Sequence, residues 1–430
     1  MKVSSILGLN ARSQLYLTPL NSPKARRIAD SKLQMAKTLK KADIPTPDVY
    51  KKFRDAKEVF DFDWKTLPDS FALKPSRGFG GEGIIVVKKR IKPDVWLTTQ
   101  REEITDADLK LHTLDILEGA YSLKNEPDVA FVQEYVGRNK SFRRFSYRGT
   151  PDIRVIVFNK IPVMAMLRLP TKESGGHANL HQGAIGVGVD IATGITTKAI
   201  WHGELIKFKP ETNHKLHGIK IPDWTKVLEI AVKTAIVSGL GFAGVDMVID
   251  PEKGPMVLEL NARPGLQIQL ANMAGLKKRL DRVEDLDVRD EKHGVNIAKA
   301  LFAERFADRV AAKDGILTIG ASEEIKVRDA NGHWIKVLAK VDTGAWSSSI
   351  DREFAKKLGL LEKEKILFYR RKLSALGENN WPVINVSLRL AGKRIKTTMG
   401  VSDRSKLTFK VLIGRTDLQG FLVKPWIEKR

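Results

Sequence analysis

The chain of 430 residues is long enough for two or three domains, and its 42% apolar and 29% charged residues are ordinary for a globular protein. It lacks cysteine, which excludes disulfides and thiolate sites and fits a cytoplasmic protein, and no window approaches the ~18 apolar residues of a membrane span. The net charge of +23 favours an anionic partner such as a nucleotide, an acidic polymer or a nucleic acid, with a lysine-rich solvated surface as the alternative.

The first predicted element is a helix over residues 30–43. Its apolar residues are spaced to lie on one side, and Asp30 or Ser31 can cap its first turn. The sequence Ile-Pro-Thr-Pro at 44–47 ends it, because the residue before a proline disfavours helical geometry.

A glycine-rich loop between two apolar strands follows. The first strand ends at Lys74, and the second runs from Ile84 to Val87. Glycines allow the backbone to approach a ligand closely, consecutive N–H groups form an anion-binding concavity, and a lysine at the edge adds positive charge. Because the loop joins two strands, it indicates a hairpin that covers a nucleotide and not the strand-to-helix turn of a dinucleotide fold. The loop glycines are Gly78, Gly80, Gly81 and Gly83.

Periodicity and turn residues predict the rest of the chain. Residues 306–316 are predicted to link a domain of residues 1–305 to a small all-β domain of residues 317–430. The first domain should continue with helices at about 104–124, 224–240 and 296–307 and strands at 130–136, 153–158, 163–169, 242–249 and 256–260. The second should hold strands at 335–341, 383–390, 394–401 and 410–413.

Three oxygen-bearing side chains lie at the strands predicted at 242–249 and 256–260. Asp246 lies inside the first, and Glu259 and Asn261 alternate with leucines so that both point to one face. Carboxylates are rarely buried without a partner. The set suits Mg²⁺, which prefers oxygen ligands and often bridges to phosphates, and the alternative is a salt-bridged strand pair.

These segments, in this order, resemble the ATP-grasp superfamily and, within it, the RimK-type α-L-glutamate ligases. The resemblance spans about residues 22–305, but only about 30 residues precede the first helix, where the family usually has a full N-terminal subdomain. The chain is therefore more similar to the group described as α-L-glutamate ligase-like than to RimK itself. The motifs are Asp30-Ser-Lys32, Leu73-Lys-Pro75 with its glycine loop, Gln133-Glu-Tyr-Val136, Asp152-Ile-Arg154, Ala178-Asn-Leu-His-Gln-Gly183, Gly244-Val-Asp246 and Glu259-Leu-Asn261 with Pro264-Gly265.

The resemblance implies an ATP-grasp fold of two α+β subdomains that clasp ATP, with a reduced N-terminal subdomain. It implies that Lys32 and Lys74 contact the phosphates while the loop closes over them. The residues implied at the adenine are Glu134, Tyr135 and Val136. Those implied on Mg²⁺, with Mn²⁺ as an alternative ion, are Asp246, Glu259 and Asn261.

The implied reaction is an ADP-forming ligation of a carboxylate and an amine. The carboxylate attacks the γ-phosphate of ATP, and an amine then displaces phosphate from the acyl phosphate to form an amide. Arg154 and Arg168 are candidates for holding a substrate carboxylate or stabilising the acyl phosphate, and solvated strand charges are the alternative. The implied partners are an amino acid, either glutamate or another, and a carboxylate-bearing peptide, protein or small molecule. The further substrate-site candidates are Asn179, His181 and Arg263.

In the C-terminal domain, Asp342-Thr-Gly-Ala345 after an apolar strand and Leu412-Ile-Gly-Arg415 further on resemble retropepsin-type aspartic proteases. Residues 381–415 are closer still to a retropepsin-like family named for ATP-dependent zinc proteases, although His333 is the only histidine of this domain and zinc has little support. The resemblance implies a barrel in which Asp342 of two subunits would share a proton and activate water, which requires a homodimer. The alternative is a degenerate barrel used for binding or dimerisation.

Function hypotheses of different classes follow from these motifs. In the first, the ATP-grasp part joins an amino acid to a carboxylate, and the C-terminal domain cleaves or binds the product. In the second, a binding protein uses ATP as a switch, its basic surface holds an acidic or nucleic-acid partner, and the protease-like domain is inactive. A third keeps only the protease active. A homo-oligomer is expected, a dimer if the protease domain is active.

Overall fold

The computed structural model of the protein describes residues 5–78, 80–122, 125–303, 317–374, 377–419 and 421–423. The chain divides into two compact units, Met1–Val295 and Asn296–Arg430. The linker predicted at 306–316 lies outside the described residues. Within the described ranges, no helix is both long and apolar enough to cross a membrane.

The first unit contains a six-stranded antiparallel sheet in the order β1-β6-β2-β3-β4-β5. Its core is aromatic, with Trp64, Trp96 and Phe71 almost fully buried beneath the helices. The β2–β3 hairpin carries the glycine loop, so the structure places this loop at one end of the sheet. The strands are β1 (Val49–Phe53), β2 (Phe71–Pro75), β3 (Ile85–Lys92), β4 (Val95–Thr98), β5 (Glu103–Thr105) and β6 (Ala130–Glu134), and the covering helices are Ala56–Phe60 and Asp106–Leu117.

A seven-stranded antiparallel sheet forms the rest of this unit, in the order β11-β10-β9-β8-β7-β12-β13. Asn159 and Lys160 both have positive φ, which is the geometry of the tight turn predicted between β7 and β8. The strands are β7 (Asp152–Phe158), β8 (Ile161–Leu169), β9 (Ile185–Val189), β10 (Thr196–Trp201), β11 (Glu204–Ile206), β12 (Phe242–Asp250) and β13 (Gly254–Asn261). The helices after residue 220 are Trp224–Ser238, Ile268–Asn272, Lys277–Leu280 and Glu291–Leu301.

The residues before the first predicted helix form an N-terminal segment, residues 5–31, which packs on the seven-stranded sheet. Its helical turns are Leu9–Ala11, a π-helical stretch Arg12–Leu17, Thr18–Leu20 and Pro23–Ala29. The Tyr16 ring packs edge-on against Phe158 at 5.5 Å between centroids, and the Asn21 amide donates to the carbonyl oxygens of Phe242 and Ala262. The segment is therefore part of the core of this unit.

The element boundaries differ from the predictions at the helix ends. The helix predicted at 30–43 spans Lys32–Lys40, because the Ser31 hydroxyl caps it by accepting from the Gln34 N–H. The helix predicted at 104–124 spans Asp106–Leu117. The helix predicted at 296–307 begins at Glu291 and ends at Leu301, and residues 304–307 lie outside the described ranges.

The second unit is built on a six-stranded barrel. Its strands follow the order β15-β16-β21-β17-β20-β19, and β19 pairs again with β15 to close the sheet. Ile325, Ile384, Met399 and Val411 fill the interior and are fully buried. The barrel strands are β15 (Ser322–Arg328), β16 (Trp334–Val341), β17 (Ser349–Asp351), β19 (Gly377–Leu390), β20 (Lys393–Ser402) and β21 (Val411–Ile413). Outside it lie β14 (Leu317–Ile319), β18 (Ile366–Ser374), β22 (Phe421–Val423) and the helix Arg352–Lys357.

Candidate functional site

Lys32 connects the glycine loop to the strand that carries Glu259. Its backbone N–H donates to the Ser76 carbonyl at 3.0 Å, and its ammonium donates to the Gly78 carbonyl at 3.1 Å. The same ammonium lies 3.5 Å from a Glu259 carboxylate oxygen. Lys32, the loop and Glu259 thus converge, and their roles as phosphate and metal ligands stay predictions.

Lys74 is a buried cation on β2 beside this group. Its side chain donates to the Gln133 amide oxygen at 2.9 Å, and the residue is only 8% exposed. Burial lowers the pKa of Lys74 to about 8, the positive charge of Lys32 acts in the same direction, and Glu259 opposes it. A desolvated ammonium of this kind gains strongly from a phosphate, so the position suits an anion contact.

Two side chains, one from the helix Asp106–Leu117 and one from the connection between β8 and β9, hold the glycine loop. The Asn179 amide donates to the Gly80 carbonyl at 3.1 Å, and His112 lies 2.9 Å from the Gly83 carbonyl oxygen. Gly83 has φ of +67°, and a Cβ there would lie 2.5 Å from the Tyr121 ring, so only glycine fits. These contacts fix the loop through its carbonyl oxygens, as does the contact of the Lys32 ammonium with the Gly78 carbonyl.

Arg154, Arg168, Asp152 and Asp246 form a buried ion-pair network on β7, β8 and β12. Arg154 donates two hydrogen bonds to the Asp246 carboxylate, from Nε at 2.6 Å and from Nη2 at 2.5 Å. Arg168 donates to the Asp152 carboxylate from its Nε and Nη2, and its Nη2 also donates to Asp246 at 2.8 Å. The cross-strand register explains the set, because Asp246 lies opposite Arg154 and Asp152 lies opposite Arg168. These arginines are therefore not solvated strand charges, and their role toward a substrate stays a prediction.

The pKa values of the two carboxylates of this network are shifted in opposite directions. Burial raises the pKa of Asp152 to about 6, Asp246 acts in the same direction, and Arg168 opposes it. At Asp246 burial also raises the pKa, but Arg154 and Arg168 outweigh it and hold the pKa down at about 2. Asp246 is consequently the ionised centre that both guanidiniums share.

The three predicted metal ligands differ in how well they fit Mg²⁺. Asp246 accepts four donors, from Arg154 twice, from Arg168, and from the Asn261 amide nitrogen at 3.1 Å. The amide nitrogen of Asn261 is thereby fixed and its oxygen is the remaining ligand atom, while the Glu259 side chain is 40% exposed. Glu259 and Asn261 fit an oxygen-liganded cation, whereas Asp246 forms the salt-bridged strand pair considered as the alternative. The Mg²⁺ role of Asp246 stays a prediction.

The predicted adenine residues lie where β6 ends. Glu134 forms an ion pair with Lys253 and accepts from the Asp48 N–H at 3.2 Å. Val136 packs with Val248 and Met256 in a small apolar cluster, and its carbonyl accepts from the Thr150 hydroxyl at 3.0 Å. Tyr135 is half-buried, and burial raises the pKa of its phenol. An apolar surface beside a strand end is compatible with a purine ring.

The remaining substrate candidates lie at the surface. His181 is exposed, and its backbone N–H donates to the Asn179 side chain at 3.1 Å. Arg263 is exposed beyond the end of β13. Their roles toward a substrate stay predictions.

Three functional candidates were not assigned a role from the sequence. Asp152 and Gln133 lie inside quoted motifs, but only the strand register reveals that they bind Arg168 and Lys74. Arg12 belongs to the N-terminal segment and donates to the Pro264 carbonyl at 2.7 Å. Its sequence context carries no signal for this contact, which depends on the tertiary fold.

In the second unit, Asp342 begins a tight loop after β16. Its carboxylate accepts from the Gly344 and Ala345 N–H groups at 2.9 and 3.1 Å and lies 3.4 Å from the Lys340 ammonium. Burial raises the pKa of Asp342, but these two hydrogen bonds and Lys340 outweigh it, so the net pKa lies below its usual value. The Arg415 N–H donates to the Ala345 carbonyl, so the two motifs are adjacent.

The zinc interpretation of this barrel gains nothing from the geometry. The described residues contain no group of three or more histidine, cysteine, aspartate or glutamate side chains that could hold a metal. His333 instead contacts Asp329, which also accepts its backbone N–H at 2.7 Å.

Comparisons with known proteins were made for the whole chain. The model of a family described as sugar-transfer associated ATP-grasp matches residues 11–285. No curated protein matches.

Solved structures with similar folds include the ATP-grasp ligase PsnB complexed with a minimal precursor. It is 16% identical over 61% of this chain and 62% of that one, less than two thirds of its length, with a TM-score of 0.33. The D-alanine–D-alanine ligase from Bacillus anthracis, complexed with ATP, is 15% identical over 62% of this chain and 68% of that one, with a TM-score of 0.35. The simian foamy virus protease is 15% identical over 23% of this chain and 90% of that one, with a TM-score of 0.18.

Proposed function

Because the chain belongs to the sugar-transfer associated ATP-grasp family, we propose that it is an ATP-dependent, ADP-forming ligase that joins a carboxylate to an amine through an acyl phosphate. The observation that carries the proposal is the convergence of Lys32, Lys74 and Glu259 beneath a glycine loop that Asn179 holds closed. Phosphoryl transfer needs this positioning and charge more than it needs a protein nucleophile.

Each residue has a defined task in this proposal. The two lysines bind the phosphates, the loop N–H groups cover them, and residues 134–136 hold the adenine. Glu259 and Asn261 would hold Mg²⁺, which neutralises phosphate charge when bound. Arg154 and Arg168 act by fixing the Asp246 carboxylate, which orients the Asn261 amide.

The substrates are proposed by chemical class. The amine is an amino acid, with glutamate the first to test, and the acceptor is a carboxylate on a peptide, a protein or a small molecule. The PsnB structure contains a precursor, which supports including peptides. The family description supports including acidic sugars.

Glu259→Gln is expected to reduce ADP formation at least about 100-fold, because a neutral amide replaces the carboxylate beside Lys32 at a site of phosphate charge. Coupled-assay turnover at saturating ATP measures the loss. Glu252→Gln, in the exposed turn before β13, is the matched control and should retain wild-type turnover. Near-wild-type activity of Glu259→Gln would refute its assignment to the site.

ATP binding is expected to weaken about tenfold as the pH rises from 7 to 9, because Lys74, with its pKa near 8, loses its charge in that range. The charged form of Lys74 is present below this pKa and binds phosphate. The affinity for ATP therefore falls as the pH rises. Calorimetric titration with a non-hydrolysable ATP analogue measures the trend. Lys74→Met carries no titrating group and should flatten the profile, whereas an equal slope in both proteins would exclude Lys74 as its cause.

The barrel is proposed to cleave or bind the ligation product. The adjacency of the Asp342 loop and Arg415 supports a retropepsin-like arrangement, in which two subunits would each supply one carboxylate. Asp342→Asn should then abolish peptide cleavage by the dimer, as measured by mass spectrometry of incubated peptides. Equal cleavage by this variant and the wild type would eliminate the peptidase proposal and leave binding.

One observation favours the second hypothesis, a binding protein for an acidic or nucleic-acid partner. Across four neighbouring barrel strands, Lys336, Lys326, Arg389 and Arg394 lie directly opposite one another. Among the described residues, one carboxylate forms an ion pair with this row, that of Glu324 at 2.9 Å from Lys336. Like charges placed directly opposite destabilise a sheet, so such a row is more readily explained by an anionic partner. Polyanion binding with a steep salt dependence and without ADP release would favour this hypothesis over the ligase.

A further inference from the structure

Two arginines at one end of the site, Arg12 and Arg263, form no ion pair with any carboxylate in the described part of the chain. The ion pairs of the site account for Arg154 and Arg168, which bind Asp152 and Asp246, and for Lys32, which lies beside Glu259. Among the described residues, no acidic side chain forms an ion pair with Arg12 or Arg263. Cations near a site that lack counter-ions indicate an anionic ligand.

Arg12 is held against the segment that follows the Glu259-x-Asn261 motif. Its Nη1 donates to the Pro264 carbonyl at 2.7 Å, while its Nε is shielded from solvent and has no hydrogen-bond acceptor in the described chain. Burial, and then the positive charge of Arg263, lower the pKa of Arg12, because both disfavour its charged form. A buried donor without an acceptor in the described chain needs an explanation, and an anionic ligand at Arg12 supplies one.

The Nε of Arg12, which lacks an acceptor in the described chain, belongs to the guanidinium edge through which the neighbouring arginines bind carboxylates. Arg154 binds Asp246, and Arg168 binds Asp152, through Nε and Nη2. This planar fork matches both carboxylate and phosphate oxygens. The distance from Arg154 Nη1 to an ideal Cβ on Gly265 is 4.0 Å, so residues 263–265 lie between this network and Arg12.

The N-terminal segment holds Arg12 firmly in this place. The Gln269 side chain accepts from the Leu7 N–H at 2.9 Å and donates to the Leu7 carbonyl at 3.1 Å. Gly275 packs so closely that a Cβ there would lie 1.9 Å from the Ser5 carbonyl oxygen. Arg12 also begins the π-helical stretch, an irregularity that is frequent at functional sites.

We propose that Arg12 and Arg263 form a subsite for a second anionic group, carboxylate or phosphate, on the acceptor, so that the enzyme selects acids that carry an anion besides the carboxylate to be activated. The N-terminal segment thereby supplies a specificity-determining residue. The inference rests on the proposed ligase function. Its test is a binding preference that needs no turnover, so failure of the subsite and failure of the ligase reaction are distinguishable.

The test compares ligands of nearly equal shape and different charge on the full chain. Calorimetric titration with N-acetyl-L-glutamate and N-acetyl-L-glutamine is performed in the presence of Mg²⁺ and a non-hydrolysable ATP analogue. We expect the dianion to bind about tenfold more tightly or better, the equivalent of about 1.4 kcal/mol. N-acetyl-O-phosphoserine against N-acetylserine forms a second arm, which distinguishes phosphate from carboxylate as the preferred group.

Arg12→Gln and Arg263→Gln should each remove the preference, raising KM for a dianionic acceptor while kcat changes by less than about twofold. The matched control is Arg26→Gln, because Arg26 also donates to a backbone carbonyl of the same segment, that of Leu17, at 3.0 Å. Wild-type protein that binds both members of each pair equally would overturn the proposal. If Arg12→Gln keeps the preference for the dianionic ligand as fully as the Arg26→Gln control does, the proposed role of Arg12 would also be overturned.

Discussion

Lys74→Ala is expected to abolish ADP formation, with a fall of at least about 100-fold, the usual effect of removing one preorganised donor from a water-excluded site. Lys74 is 8% exposed, and within the part of the chain that the structure describes, its ammonium has one hydrogen-bond acceptor, the neutral amide oxygen of Gln133. The charge is therefore desolvated without a carboxylate contact, which costs folding free energy. A bound phosphate would supply the missing negative charge and so explain the arrangement.

Activity and folding must be separated for this variant, because alanine leaves a cavity. Lys74→Met keeps most of the volume and removes the buried charge, so it should unfold at a temperature no lower than the wild type while ADP formation remains abolished. Lys40→Ala, whose side chain is 77% exposed, is the control and should behave as wild type. Turnover in Lys74→Met close to that of the wild type would show that Lys74 packs the core and does not bind phosphate.

Asp246→Asn is expected to destabilise the first unit by about 3 kcal/mol or more, because it leaves Arg154 buried without its partner. Arg154 and Asp246 have side-chain exposures of 14% and 1%, so solvent cannot replace the lost interaction. The pKa of Asp246 is lowered to about 2, so the stability that its charge contributes is present at neutral pH and is lost only as the pH falls through that value.

Chemical denaturation without divalent cations measures this effect, because it isolates the ion-pair role from a metal role. Asp250→Asn is the control on the same strand, since an asparagine there still accepts from the N–H groups of Glu252 and Lys253. If Asp246→Asn unfolds like the wild type without cations and differs only when Mg²⁺ is added, Asp246 is primarily a metal ligand.

Local sequence patterns predicted the elements whose causes are local. The glycine loop, the turn at Asn159 and Lys160, and the Ser31 cap follow from backbone preferences within a few residues. Alternation along β13 and the motif order led to the prediction that Glu259 and the lysines share one site. Glu259 lies 3.5 Å from Lys32, and the roles of these residues toward ATP and Mg²⁺ stay predictions. The resemblance to the ATP-grasp superfamily is confirmed, whereas the RimK type and glutamate specificity belong to the proposal.

The parts that were not foreseen depend on strand register. The sequence left open whether Asp246 is a metal ligand or part of a salt-bridged strand pair, and only its neighbours across β12 and β7 reveal the ion-pair network around it. Arg12 could not be recognised either, because 252 positions separate it from the Pro264 carbonyl that it contacts. Pairings between distant segments are set by the whole fold, and one sequence carries no local signal for them.

The central claim is tested most directly by phosphate release from ATP and Mg²⁺ over a matrix of amino acids and acids, with Glu259→Gln as the control and mass spectrometry of the products. The acids include dicarboxylates, acidic peptides and acidic sugars. The ligase proposal predicts ADP formation that requires both an acid and an amine, and a product heavier than the acid by one amino acid minus water. Tight ATP binding without turnover for any pair would contradict it and favour the ATP-switched binding protein.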